Sequence, residues 1–114
     1  MALKSLKQIS FKRPLIIAHR GYRAKYPENT LASFSAALDI GVKMIELDVM
    51  LTRDRKMVVI HDATLERTTN GHGQVNSHTL QELKALDAGS WFHPCFANER
   101  LPELEEVLNL VNGR

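Results

Sequence analysis

The chain has 114 residues, 44% of them apolar, and a formal charge of +2 at neutral pH, which is ordinary for one small domain with one core. No long basic run points to nucleic acid, and no apolar stretch approaches the ~20 residues that cross a bilayer. A single cysteine, Cys95, excludes an internal disulfide and suits the reducing cytoplasm.

Residues 1–13 mix Leu3, Leu6, Ile9 and Phe11 with Lys4, Lys7, Lys12 and Arg13, without a signal peptide's unbroken apolar centre. A frayed or docking arm is expected there, with amphipathic membrane contact as the alternative, ahead of a domain at 14–114. Leu15 to Ala18 reads as a buried first strand that runs into His19-Arg20-Gly21. In α/β folds the carboxyl end of a strand is where ligands bind. After a loop, Asn29 or Thr30 caps a helix with a stripe of Leu31, Phe34 and Leu38, stopped by Gly41.

Met44 to Leu51 and Met57 to Ile60 are two apolar runs joined by only five residues, too few for a parallel crossover. An antiparallel hairpin is expected. Side chains alternate along a strand, so Glu46 and Asp48 share one face with Met44 and Met50, while Ile45, Leu47, Val49 and Leu51 form the core face. A turn centred between Arg53 and Asp54 places Glu46 opposite His61, and one centred between Asp54 and Arg55 places Asp48 there. An even register would separate the acids from the imidazole.

Further on, Ala63 to Ser77 is a polar loop, with Thr68 to Gly71 a turn. Thr79 and Glu82 form a capping box before Leu80, Leu83 and Leu86, and that helix is expected to end near Asp87 to Gly89. Trp91, Phe92 and Phe96 anchor an irregular stretch around Cys95, which is read as packing rather than chemistry. A last helix over Pro102 to Asn112 carries Leu104, Val107, Leu108 and Val111. His72, His78 and His93 are expected in solvent.

The chemistry concentrates at three places. Carboxylates two apart on a strand, Glu46 and Asp48, converge on one side and suit a hard divalent cation, calcium or magnesium. His19 and His61, at two strand ends, titrate near neutrality and suit general acid–base work. Arg20 can fork onto phosphate oxygens, and a cation neutralises charge on a phosphoryl group. Glu28 either faces a ligand or complements a helix dipole. Asp62 either orients His61 or satisfies loop amides.

His19-Arg20-Gly21, Pro27-Glu28-Asn29-Thr30, Glu46-Leu47-Asp48-Val49, Val59-Ile60-His61-Asp62, Thr68-Thr69-Asn70-Gly71, Leu86 to Phe92 and Leu101 to Leu108 occur in that order. The sequence thereby resembles the glycerophosphodiester phosphodiesterase family from about Leu15 to its end. That resemblance implies an α/β fold, an irregular TIM barrel of the phospholipase-C-like kind, of which this chain supplies about the first three strands, the second and third as a hairpin. It also implies metal-dependent cleavage of a glycerophosphodiester to glycerol 3-phosphate and an alcohol. His19 and His61 match the acid/base pair, in either order, Arg20 a phosphate contact, Glu46 and Asp48 ligands of Ca2+ or Mg2+, and Glu28 a substrate or metal contact.

A whole barrel takes ~250 residues and eight strands, and the family's remaining metal carboxylate and a phosphate-side lysine belong to later strands. Two positions depart from the family pattern: Arg55 stands where glycine is usual in the hairpin turn, and Glu103 where a threonine caps the last helix. A non-catalytic remnant that self-associates through an open barrel edge is the competing class. A lipid-cleaving phosphodiesterase on the same barrel is a third.

Overall fold

A computed structural model describes residues 14–114; the expected arm at 1–13 lies outside them. In chain order the elements are β1 (Ile17–His19), α1 (Leu31–Asp39), β2 (Met44–Glu46), β3 (Val49–Leu51), β4 (Met57–Val59), α2 (Leu80–Lys84) and α3 (Leu104–Val111), with 3-10 turns at Val75–Ser77 and Pro94–Phe96.

The β1–α1–β2 segment is a crossover unit, long enough to bring two strands parallel. Ile17 lies opposite Met44, Ala18 opposite Ile45 and His19 opposite Glu46. Thr30 caps α1 by accepting from Ser33 N at 3.2 Å. Phe34 and Ala37 are fully buried, so the inward stripe runs through Ala37 rather than Leu38; enclosing a ring the size of Phe34 contributes about 2–3 kcal/mol.

The expected continuous strand from Met44 to Leu51 is broken at Leu47-Asp48. Its first half pairs with β1 and its second half with β4, in two separate two-stranded sheets. The hairpin expectation holds for β3 and β4, but the register is the even one: Val49 faces Val59, Met50 faces Val58 and Leu51 faces Met57. The turn therefore centres on Asp54, whose Oδ1 accepts from Thr52 Oγ1 at 2.5 Å and from Leu80 N at 3.0 Å. The start of α2 holds that register in place.

The core follows the same break. Val58 and Ile60 pack with Leu65, Val75, Leu83, Ala88 and Leu101, joined by Met50. Val59 turns the other way, to Phe34 and Val107, joined by Ile45 and Leu47. Val49 and Leu51 are exposed, contrary to the expected core face, because the chain changes sheets between Glu46 and Val49. Ile16 and Ile17 are likewise exposed rather than buried; among the described residues β1 has a strand on one edge only.

Helix ends differ in detail. The Thr79–Glu82 capping box forms, and the helix it opens ends at Lys84. α3 begins at Leu104, with Glu103 as its cap and the Glu103 amide donating to Glu106 Oε1 at 3.0 Å. Lys84 ties the two helices by donating to Leu101 O at 3.0 Å and pairing with Glu106. Cys95 is exposed, not packed among the rings; the packing passes through Trp91, Phe92 and Phe96 edge to face.

Arg55 adopts φ 62°, a left-handed conformation that costs an L-residue about 1–2 kcal/mol. Arg55→Gly is expected to raise stability by about 0.5–1 kcal/mol after the greater chain entropy of glycine is set against that gain. A urea midpoint that rises with an unchanged slope reports it; an unchanged midpoint contradicts the assigned strain.

Candidate active site

The carboxyl end of β1 is drawn back sharply. Arg20 takes φ 61° and Gly21 φ 85°, conformations held by Arg20 N donating to Glu46 O at 2.9 Å and by Arg20 O accepting from Asn29 N at 3.0 Å and Ser33 Oγ at 3.1 Å. A Cβ on Gly21 would lie 2.1 Å from Ser33 Oγ, so only glycine lets this turn settle against α1. A residue held away from its relaxed backbone by several hydrogen bonds is characteristic of functional sites.

From that turn the predicted side chains are brought together in order. His19 Nε2 lies 3.6 Å from Glu46 Oε2 across the β1–β2 pair. Arg20 donates from Nη1 to Glu28 Oε2 at 3.2 Å, and its Nε lies 3.5 Å from Asp48 Oδ2. Asn29, itself at φ 56°, donates from Nδ2 to Asp48 Oδ2 at 3.1 Å. The break at Leu47-Asp48 is what turns Asp48 toward Arg20 and Asn29 while its carbonyl still accepts from Ile60 N at 3.0 Å.

His61 is not opposite either acid. The even register carries it past both, and its Nδ1 sits 2.7 Å from Asp62 Oδ1. It joins the group through Arg67 instead. Arg67 donates from Nε to Asp62 Oδ2 at 2.8 Å and from Nη2 to Oδ1 at 3.0 Å. The same guanidinium reaches Glu28, with Nη1 to Oε1 at 2.8 Å and Nη2 to Oε2 at 3.0 Å. A chain of polar contacts thus runs from His61 through Asp62, Arg67, Glu28 and Arg20 to Asp48.

Charge follows contact. Burial pushes the Glu28 carboxyl up, but the Arg67 and Arg20 guanidiniums outweigh it and leave the carboxyl below its ordinary range. Hydrogen bonds from Arg67 and then His61 hold Asp62 far below the usual carboxylate range, and Asp62 and Glu28 together hold Arg67 above its own. Arg67 carried no signal in the sequence beyond being one cation in a polar loop. Its partner Glu28 lies 39 positions away.

Among the described residues, three buried side-chain polar atoms lack a hydrogen-bond partner: Arg20 Nε, Asn29 Oδ1 and Glu46 Oε2. All belong to this site. A buried group left unpaired costs about 1–3 kcal/mol, and such groups are few in native proteins. The donor set, two carboxylates and an amide oxygen, is hard oxygen chemistry that fits a divalent cation. The described residues contain no group of three or more His, Cys, Asp or Glu side chains placed to hold a metal.

The strand–helix–strand crossover followed by a hairpin is the amino-terminal part of an irregular TIM barrel, with its polar group at a strand's carboxyl end. A family model for the glycerophosphoryl diester phosphodiesterase family matches residues 19–114, and the chain belongs to that family.

It is 52% identical over 102 residues to a glycerophosphodiester phosphodiesterase of Caldanaerobacter subterraneus subsp. tengcongensis, covering 90% of this chain and 42% of that protein. Among solved structures, a glycerophosphodiester phosphodiesterase from Agrobacterium tumefaciens superposes with a TM-score of 0.86 at 42% identity, covering 89% of this chain and 44% of that one. An Oleispira antarctica phosphodiesterase solved with its product sn-glycerol-3-phosphate gives 0.84 at 45% identity, covering 87% and 40%. The chain spans about two fifths of the length of these relatives.

Proposed function

We propose that the protein takes part in hydrolysis of glycerophosphodiesters to glycerol 3-phosphate and an alcohol, assisted by Ca2+ or Mg2+. The observation that carries this reading is three buried polar atoms without a hydrogen bond: Arg20 Nε, which faces Asp48 at 3.5 Å, and the oxygens Asn29 Oδ1 and Glu46 Oε2. An anionic phosphate suits the first, and a cation suits the others. The solved relative that holds sn-glycerol-3-phosphate supports the same substrate class here.

In this reading Arg20 grips a phosphate oxygen with donors that Glu28 does not occupy, and Glu28, both of whose oxygens are taken by guanidiniums, anchors the two arginines. His19 and His61 divide the work of taking a proton from water and giving one to the leaving oxygen. Glu46 and Asp48 would hold the cation, which when bound neutralises charge on the phosphoryl group. The exposed lone thiol of Cys95 supports a reducing, cytoplasmic setting, and no helix among the described residues is long and apolar enough to cross a membrane.

Release of glycerol 3-phosphate from glycerophosphocholine by the purified chain with Mg2+ or Ca2+, stopped by chelation, is the outcome that supports this reading over the competing one. Glu46→Gln should raise the cation concentration needed at least about tenfold. Release that ignores chelation, or an unchanged cation titration in Glu46→Gln, removes the metal from the reading. The competing reading, self-association, draws on the exposed strand residues Ile17, Val49, Leu51 and Met57 and on Ile16 just before β1. Soluble oligomers without any release favour it.

A further inference from the structure

Arg67 lies in a loop that is stiff for its own reasons. Leu65 N donates to Gly73 O at 2.9 Å, Thr69 N to Leu65 O at 3.0 Å, and Asn70 N to Asp87 O at 3.1 Å. Thr69 Oγ1 caps the inside of the turn, donating to Leu65 O at 2.7 Å and accepting from Gly71 N at 3.0 Å. Leu65 itself is fully buried. The backbone beneath Arg67 is therefore set before its side chain makes any contact with the site.

We propose that Arg67 is a positioning residue that aligns the two working arms of the site at once, fixing Asp62 behind His61 on one side and Glu28 behind Arg20 on the other. The inference rests on His61 and Arg20 acting as described above. A guanidinium carries five donors in a rigid plane. Here Nε, Nη1 and Nη2 between them make four hydrogen bonds of 2.8–3.0 Å to two carboxylates from separate parts of the chain.

The consequence for His61 is chemical. An ionised carboxylate only accepts hydrogen bonds, so Asp62, kept ionised and aimed by Arg67, requires His61 Nδ1 to carry the ring hydrogen. Nε2 of the neutral ring then holds the lone pair, and the ring's hydrogen bond among the described residues is made through Nδ1. Nε2 is the nitrogen able to take a proton. Without the fork, Asp62 is free to turn away and the ring loses its reason to favour this tautomer.

The test reads the tautomer directly. Long-range 1H–15N correlation spectra of the labelled chain, recorded above neutral pH, distinguish the Nδ1–H and Nε2–H forms of His61. The wild type is expected to show the Nδ1–H form, and Arg67→Met to shift the tautomer ratio toward Nε2–H by about tenfold. Arg67→Lys keeps the charge but not the fork and is expected to fall between them. Unchanged amide shifts in α2 and α3 show that the fold persists, and if Arg67→Met unfolds, Arg67→Lys decides alone.

A wild-type ratio in Arg67→Met, or full retention in Arg67→Lys, overturns the proposal. Because the spectra require no turnover, loss of the hydrolase reading would leave this result standing, and the reverse also holds.

Discussion

Replacing Glu28 with alanine is expected to lower the unfolding free energy by about 3 kcal/mol, measured as a drop in urea midpoint. Glu28 is only 9% exposed, and its two oxygens accept from Arg20 and twice from Arg67. Truncation leaves Arg20, whose side chain is 14% exposed, with a buried charge near Asp48 alone. Arg67, 45% exposed, turns to water and contributes less, which keeps the figure at the low end of the range for broken buried pairs. Glu28→Gln preserves shape and one acceptor and is expected to cost about 2 kcal/mol.

The same pairs set an acid limit. Because the folded carboxyls of Glu28 and Asp62 lie below their ordinary values, their stabilisation is complete above about pH 4.3 and is lost as the pH falls through the folded values. The wild type should therefore lose stability steeply below that pH, and Glu28→Ala less steeply. Identical acid limbs in the two proteins would show that Glu28 is not held by its arginines in solution.

What the sequence made legible was local. The Thr79–Glu82 capping box and the Thr30 cap depend on residues three apart, and both formed where expected. The glycine departure at Arg55 correctly marked a strained turn. Register was misjudged because it is set from outside the hairpin: Asp54 is bonded to the amide of Leu80, and Arg53 N donates to His78 O at 2.8 Å. No alternation within Met44 to Ile60 contains that information.

The site shows the same division. The strand end made His19 and Arg20 readable, and they lie beside Glu46 and Asp48 as two separate pairs; the i, i+2 spacing assumed one continuous strand, and it is the break at Leu47-Asp48 that aims Asp48. His61 reaches them through Arg67 and Glu28 rather than across a ladder. That route was hidden because an arginine in a loop has no periodicity, and its partners are chosen only when distant segments pack.

Exchange of His61 for alanine is expected to lower kcat for glycerophosphocholine by about 10³-fold with little change in KM or folding stability, and His19→Ala to do the same. The two rings are half exposed, with side chains 52% and 43% accessible for His19 and His61, so neither fills core volume whose loss would unfold the chain. On the proposed function substrate affinity would rest on Arg20 and the cation, which neither substitution removes, so the loss belongs in kcat. Asp62→Asn is expected to lower kcat by a similar factor, since an amide can donate to Nδ1 and so favour the Nε2–H tautomer, which leaves no lone pair on the outward nitrogen. A matched fall in midpoint and activity would mean that the rings serve the fold. A variant of either histidine with near-normal kcat would take that ring out of the proton path, whatever its distance from Glu46 or Asp62.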